Sequence, residues 1–164
     1  MSGFPKGGRP IVPANGYGIT GNTGLTPTPA VGLTTATSFI AGNINLTAST
    51  PAEITHVALA AGTWLIIGKA LIAGTAANAN TDIWLGTTSA SATGAYDSSS
   101  ILTLYVAQTN RGTISSIAIV TLASPATVYL NAESDTNMSP GVDSGALVAS
   151  IAGKSSGIWA LRIA

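Results

Sequence analysis

The chain has no cysteine, a single histidine and few charges: 7% of its 164 residues are Asp, Glu, Lys or Arg. The absence of cysteine excludes a disulfide scaffold, a thiol nucleophile and a Cys-ligated zinc site. One histidine, His56, excludes multi-histidine metal centres and leaves one candidate imidazole base. An ordinary soluble domain carries about 25% charged residues. Here six basic and six acidic side chains cancel to a formal charge of zero. A nucleic-acid partner, which needs a basic stripe to displace counterions, is not expected. Nor is attachment to a membrane surface through a polybasic patch. The opening Met1 to Lys6 lacks the apolar stretch of a secretory signal. Heptads and a sustained 3.6-residue period are also missing, which leaves no coiled-coil shaft.

What the chain does have is 46% hydrophobic residues, 19 glycines, and 39 serines and threonines in place of charge. That apolar content is too high for charge-driven disorder. A neutral chain has little repulsion to keep copies apart, so association is favoured.

Residues 1–36 read as an arm. They hold Pro5, Pro10, Pro13, Pro27 and Pro29 among many glycines, and no strand or helix period survives there. One reading is a disordered terminus. The other is an extended strap that orders against a partner, with Phe4, Ile11, Val12, Tyr17, Ile19 and Leu25 as spaced apolar anchors.

Residues 37–164 read as one β domain. Strand patterns run over 44–47, 53–59, 63–72, 81–86, 101–107, 113–122, 127–132, 145–151 and 157–163, with turn signals between them. The segment 63–72 is apolar on both faces: Trp64, Ile66, Gly68, Ala70 and Ile72 alternate with Leu65, Ile67 and Leu71. The surrounding run 57–77 carries Lys69 and three glycines, and reads as strand rather than as a spanning helix. Eight to ten short strands predict an all-β sandwich or barrel. A strand apolar on both faces must lie under another layer or meet a subunit, so an oligomer built through sheet faces is expected.

Several short motifs imitate chemistry. Gly16-Tyr17-Gly18-Ile19-Thr20-Gly21 has the G-x-G-x-x-G spacing, but prolines flank it and no strand–helix context opens. Val142-Asp143-Ser144-Gly145-Ala146 is like the active-site loop of retroviral-type aspartic proteases, but too little chain follows for a flap and substrate strands. A turn is the expected reading. Glu133, Asp135 and Asn137, with Asp143 nearby, carry oxygens that suit a hard cation, although EF-hand order is absent and a solvated loop is expected. His56 lacks an informative Ser and carboxylate spacing. Trp64 and Trp159 lie in apolar strands and are expected to pack. Trp84, beside the polar loop 78–82, is the one tryptophan offered to a sugar ring.

Three segments carry a resemblance. They are Ala60-Ala61-Gly62-Thr63-Trp64-Leu65-Ile66-Ile67-Gly68, Ala126-Thr127-Val128-Tyr129-Leu130-Asn131-Ala132 and Trp159-Ala160-Leu161-Arg162-Ile163. Over residues 38–164 the chain resembles phage and prophage fibre proteins with a tumour-necrosis-factor-like (complement-globular-head-like) jelly roll. The resemblance implies an antiparallel two-sheet jelly-roll sandwich, a homotrimer packed through apolar sheet faces, a place on a virus particle, and neither catalysis nor a cofactor. A short Gly/Pro arm in place of a long shaft fits a capsid decoration or head-fibre protein. Its partners would be its own copies and the major capsid or another virion protein. The alternative is a receptor- or glycan-binding knob at a fibre tip, with Trp84 in contact.

Overall fold

Alternating apolar residues bounded by Gly, Pro and Ser produce ten strands in the computed structural model, which describes residues 34–73, 78–96, 101–107, 110–144 and 156–164. The strands are β1 (Thr35–Phe39), β2 (Ile44–Leu46), β3 (Ala52–Leu59), β4 (Gly62–Ala73), β5 (Ala79–Gly86), β6 (Leu102–Val106), β7 (Arg111–Leu122), β8 (Ala126–Ser134), β9 (Met138–Asp143) and β10 (Gly157–Arg162). No helix occurs among the described residues.

Two antiparallel sheets face each other. The first has the order β1-β10-β4-β9-β2, with β7 on the other edge of β4. The second has the order β3-β8-β5-β6. The jelly-roll sandwich expected from the sequence is thus observed. β4 organises the first sheet because it is long. β7 pairs along its whole length, from Gly62↔Leu122 to Ala73↔Arg111. On its opposite edge β10 pairs with residues 64–69, and β9 takes over at Leu71 and Ile72.

The core lies between the sheets. Trp64, Ile66, Ala70 and Ile72 of β4 point inward against Ile83 and Leu85 of β5 and Val128 and Leu130 of β8, all buried. At about 25 cal/mol per Å² of apolar surface removed from water, each Val, Leu and Ile among them contributes about 1.5–3 kcal/mol. Trp64 satisfies its indole by donating to the Ala60 carbonyl, 2.9 Å away. The packing expected for this tryptophan is observed.

Two strands differ from the sequence pattern. β1 (Thr35–Phe39) begins within the stretch read as arm, because it pairs along β10. β9 was hidden by Pro140 and Gly141, which break its alternation, and it pairs with β2 through a register shift. The segment 138–143, read as loop and turn, is therefore a strand. The strand expected at 145–151 lies outside the described residues.

Candidate functional site

Sheet parity decides which side chains of the first sheet look outward. The odd-numbered residues of β1, β10, β4 and β7 stand in rows across four strands. One row is Thr37, Trp159, Ile67 and Ile117; the next is Thr35, Leu161, Leu65 and Ile119. Cross-strand neighbours of this kind sit about 4.5–5.5 Å apart at Cβ. The two rows form an apolar block on a surface that no other part of the described chain covers. Ile117 is 58% exposed and Ile119 68% exposed. Large apolar side chains grouped this way on a surface mark a place of contact.

The block has relief. On the β1–β10–β4 side, Thr35, Thr37, Leu65, Ile67, Trp159 and Leu161 line a shallow groove of about 310 Å³. Phe39 fixes one wall by meeting Trp159 edge-on at 5.0 Å between ring centroids. On the β7 side, Ile117 and Ile119 form a ridge. The third row is of different character: Phe39, Gly157, Lys69 and Ser115. Beyond it Leu71 pairs with Asp143, whose carboxylate accepts from the Arg111 guanidinium at 2.9 Å. The Asp143 side chain is buried and Arg111 is about one-third exposed, so this pair closes one end of the face.

Trp84 is not a platform for a sugar. It is 3% exposed, and its Nε1 donates to the Ser91 carbonyl at 3.0 Å. Loop 87–96 folds back over the outer face of the second sheet at Trp84 and Asn131. Asn131, fully buried opposite Trp84, holds the same loop twice: its Oδ1 accepts from the Ala90 amide and its Nδ2 donates to the Thr88 carbonyl, both at 3.0 Å. A stacking ring needs an open face, and this one is spent on pinning a loop. The sequence did not single out Asn131, since nothing in a strand of alternating residues shows which polar side chain a distant loop will cover.

The carboxylates of the suggested cation loop do not converge. Asp135 accepts from the backbone amide and side-chain amide of Asn80, at 3.0 and 2.7 Å. Asn137 Oδ1 accepts from the Ala48 amide at 2.8 Å. Asp143 is committed to Arg111. Among the described residues no group of three or more His, Cys, Asp or Glu could hold a metal ion. Hydrogen bonds from Asn80 and Thr136 hold the Asp135 carboxyl below its ordinary value against a small opposing effect of burial.

His56 faces solvent and bonds to Glu53, Nδ1 to Oε1, at 2.6 Å. Ser89 donates to the other oxygen of Glu53. The serine and histidine thus meet the same carboxylate instead of each other, which is not the Ser–His–carboxylate order of nucleophilic catalysis. Burial opposes ionisation of Glu53, but the bonds from Ser89 and His56 and the nearby His56 charge hold its carboxyl below the ordinary value.

The proposed anchors Phe4, Ile11, Val12, Tyr17, Ile19 and Leu25 lie outside the described residues, as does the G-x-G-x-x-G stretch. Of the outward block, Ile117, Ile119 and Leu161 were not singled out from sequence. The available signal was parity: in 114–120 apolar residues fall on both faces of one strand.

No family model matches the chain, and no curated protein matches it. Among solved structures its fold is similar to Eiger TNF from S. frugiperda, at 12% identity, with 79% of this chain and 92% of that chain covered and a TM-score of 0.46. At that similarity nothing about this chain's partners or activity follows.

Proposed function

We propose that this protein is a non-catalytic structural component that assembles with its own copies through the outer face of the first sheet. The observation that supports this reading is the uncharged block of Leu65, Ile67, Ile117, Ile119, Trp159 and Leu161, which combines a ridge and a groove on one surface. A ridge and a groove on the same molecule fit two copies in a heterologous contact, and such contacts close into rings when the rotation allows. Three copies is the number the sequence resemblance implies.

On the strength of the same resemblance, we propose that the assembly sits on the surface of a virus particle as a capsid decoration or head-fibre protein. The part of the 1–36 segment that precedes β1 anchors it to the major capsid or another virion protein. An arm that orders on binding loses about 1–2 kcal/mol of backbone entropy per residue, which its apolar anchors must offset. Arms on one assembly act with avidity, because after the first engages the others bind at high effective concentration.

Deleting residues 1–30 tests this directly. The truncated chain is expected to keep its oligomeric mass and to lose binding to purified particles. A truncated chain that still decorates particles overturns the anchor. Antibody labelling of intact particles under the electron microscope locates the protein: label over the head supports decoration, and label confined to the tail tip overturns it.

A further inference from the structure

Among the described residues, charge is sorted by sheet. The basic side chains Lys69, Arg111 and Arg162 all belong to the first sheet, on β4, β7 and β10. The carboxylates Glu53, Asp82, Glu133 and Asp135 stand on the outer face of the second sheet or at its rim. The remaining described carboxylate, Asp143, is on the first sheet and is bound to Arg111. The face turned away from the apolar block is therefore acidic, with no lysine or arginine on it among the described residues.

Asp82 and Glu133 are direct neighbours in the β5–β8 ladder. Side chains so placed are about 4.5–5.5 Å apart at Cβ, and like charges there repel. Thr103 donates to one oxygen of Asp82. Glu133 has neither a hydrogen bond nor an ion pair among the described residues. Together with Trp84, Ala92 and Ile101, the two carboxylates line a recess of about 100 Å³. A water takes ~30 Å³, so the recess has room for the end of one long side chain. Its apolar wall suits a methylene stem and its carboxylates suit a cationic head. A guanidinium, with five N–H donors in a planar fork, can serve both carboxylates at once and replace their repulsion with charge-assisted bonds.

The chain carries such a group on the segment that leads into β1. Lys6 and Arg9 stand three residues apart, and the first carboxylate of the whole sequence is Glu53. The segment before Thr34 is thus purely cationic, opposite in sign to the face. It is also tethered within reach. Thr34 accepts from the Arg162 amide at the start of β1, and β1 packs over β3 where the Ser38 and Thr55 hydroxyls meet at 2.7 Å. β8 and β5 follow β3 in the second sheet. Two strand spacings, one sheet separation and the full length of a 12-residue strand sum to less than about 60 Å. The 24 residues from 10 to 33 can span up to about 80 Å.

We infer that the acidic outer face of the second sheet is a docking surface for the N-terminal segment of the same chain, with the Arg9 guanidinium seated between Asp82 and Glu133. The contact covers the cations of the arm until another partner of the arm competes for them. It requires neither an interface on the first sheet nor a place on a particle.

Paramagnetic relaxation in the full chain tests it. The sequence has no cysteine, so Gly8→Cys supplies a single attachment point for a nitroxide. At about 0.01 M salt, where the screening length is about 30 Å, the amide resonances of Asp82, Thr103 and Glu133 are expected to lose most of their intensity. Those of Ile117 and Ile119 on the opposite face are expected to keep theirs. Arg9→Gln, which alters no described contact, is expected to restore the lost signals. So is the pair Asp82→Asn and Glu133→Gln, which keeps the shape of both side chains, and so is salt at about 1 M, where the screening length is about 3 Å. Full intensity at 82, 103 and 133 in the labelled wild type overturns the docking surface. A loss that survives these substitutions overturns the Asp82–Glu133 recess as the seat of Arg9. A loss spread evenly over both sheets overturns the inference too, because the arm then has no defined seat.

Discussion

Gly68 and Leu130 meet across the two sheets so closely that a Cβ on residue 68 would lie 2.6 Å from Leu130 Cδ1. Leu85 Cδ2 closes the same space at 3.1 Å. Gly68 occupies the inward row of β4 between Ile66 and Ala70, so its lack of a side chain is what lets β8 approach. Gly68→Ala is expected to destabilise the fold by about 1–3 kcal/mol through overpacking. The check is the denaturant midpoint, with an unchanged slope showing that the same surface is exposed on unfolding.

Charge placed on the ridge separates assembly from folding. Ile119→Asp alters a side chain that is 68% exposed and removes no core contact. The expected outcome is a chain with wild-type circular dichroism that sediments as a monomer. Retention of the wild-type mass by Ile119→Asp, and by Ile117→Asp, would rule out the ridge as an interface element.

Asn131 and Trp84 make a prediction about loop 87–96. Asn131→Ala leaves the Ala90 amide and the Thr88 carbonyl without their partner. The expected loss is about 1–3 kcal/mol, the cost of unsatisfied buried polar groups. Hydrogen exchange should rise at Ala90 more than in β4, whose amides are protected by the sheet. Equal exchange in the variant and wild type would mean that the other bonds of the loop, Trp84 to Ser91 and Ser89 to Glu53 among them, hold it without Asn131.

Acid should weaken the fold in a defined window. Glu53 and Asp135 both have carboxyls held below their ordinary values of 4.5 and 3.8. A depressed folded value means that the stabilisation is present above the unfolded value and is lost as pH falls through the folded one. Thermal stability should therefore be flat above about pH 5 and decline below the ordinary carboxylate range. Asn80→Ala removes the side-chain bond to Asp135, keeps the backbone one, and should shrink that acid dependence in part. An unchanged pH profile in Asn80→Ala would show that the Asn80 side-chain bond does not contribute.

Strand positions were legible wherever alternation ran unbroken. The pattern over 63–72 became β4 (Gly62–Ala73), and that over 157–163 became β10 (Gly157–Arg162). β9 was not legible, because Pro140 and Gly141 interrupt the pattern and its partners, β2 and the end of β4, are distant in sequence. The carboxylates at 133, 135 and 143 looked like a cluster because they are close in the chain, yet Asp143 found Arg111 across the sheet and Asp135 found Asn80.

By itself, the sequence determined the class of fold and the poverty of charge, because strand periodicity and composition are local properties. It also determined that some strands would have two apolar faces. Tertiary structure decided which of those faces is buried. The inward row of β4 is covered by the second sheet, and among the described residues the outward row is left open beside Ile117 and Ile119. It decided too that Trp84 would be covered, since that depends on which distant segment packs alongside. Register between strands is set by long-range pairing, and a one-residue slip would reverse every one of these assignments.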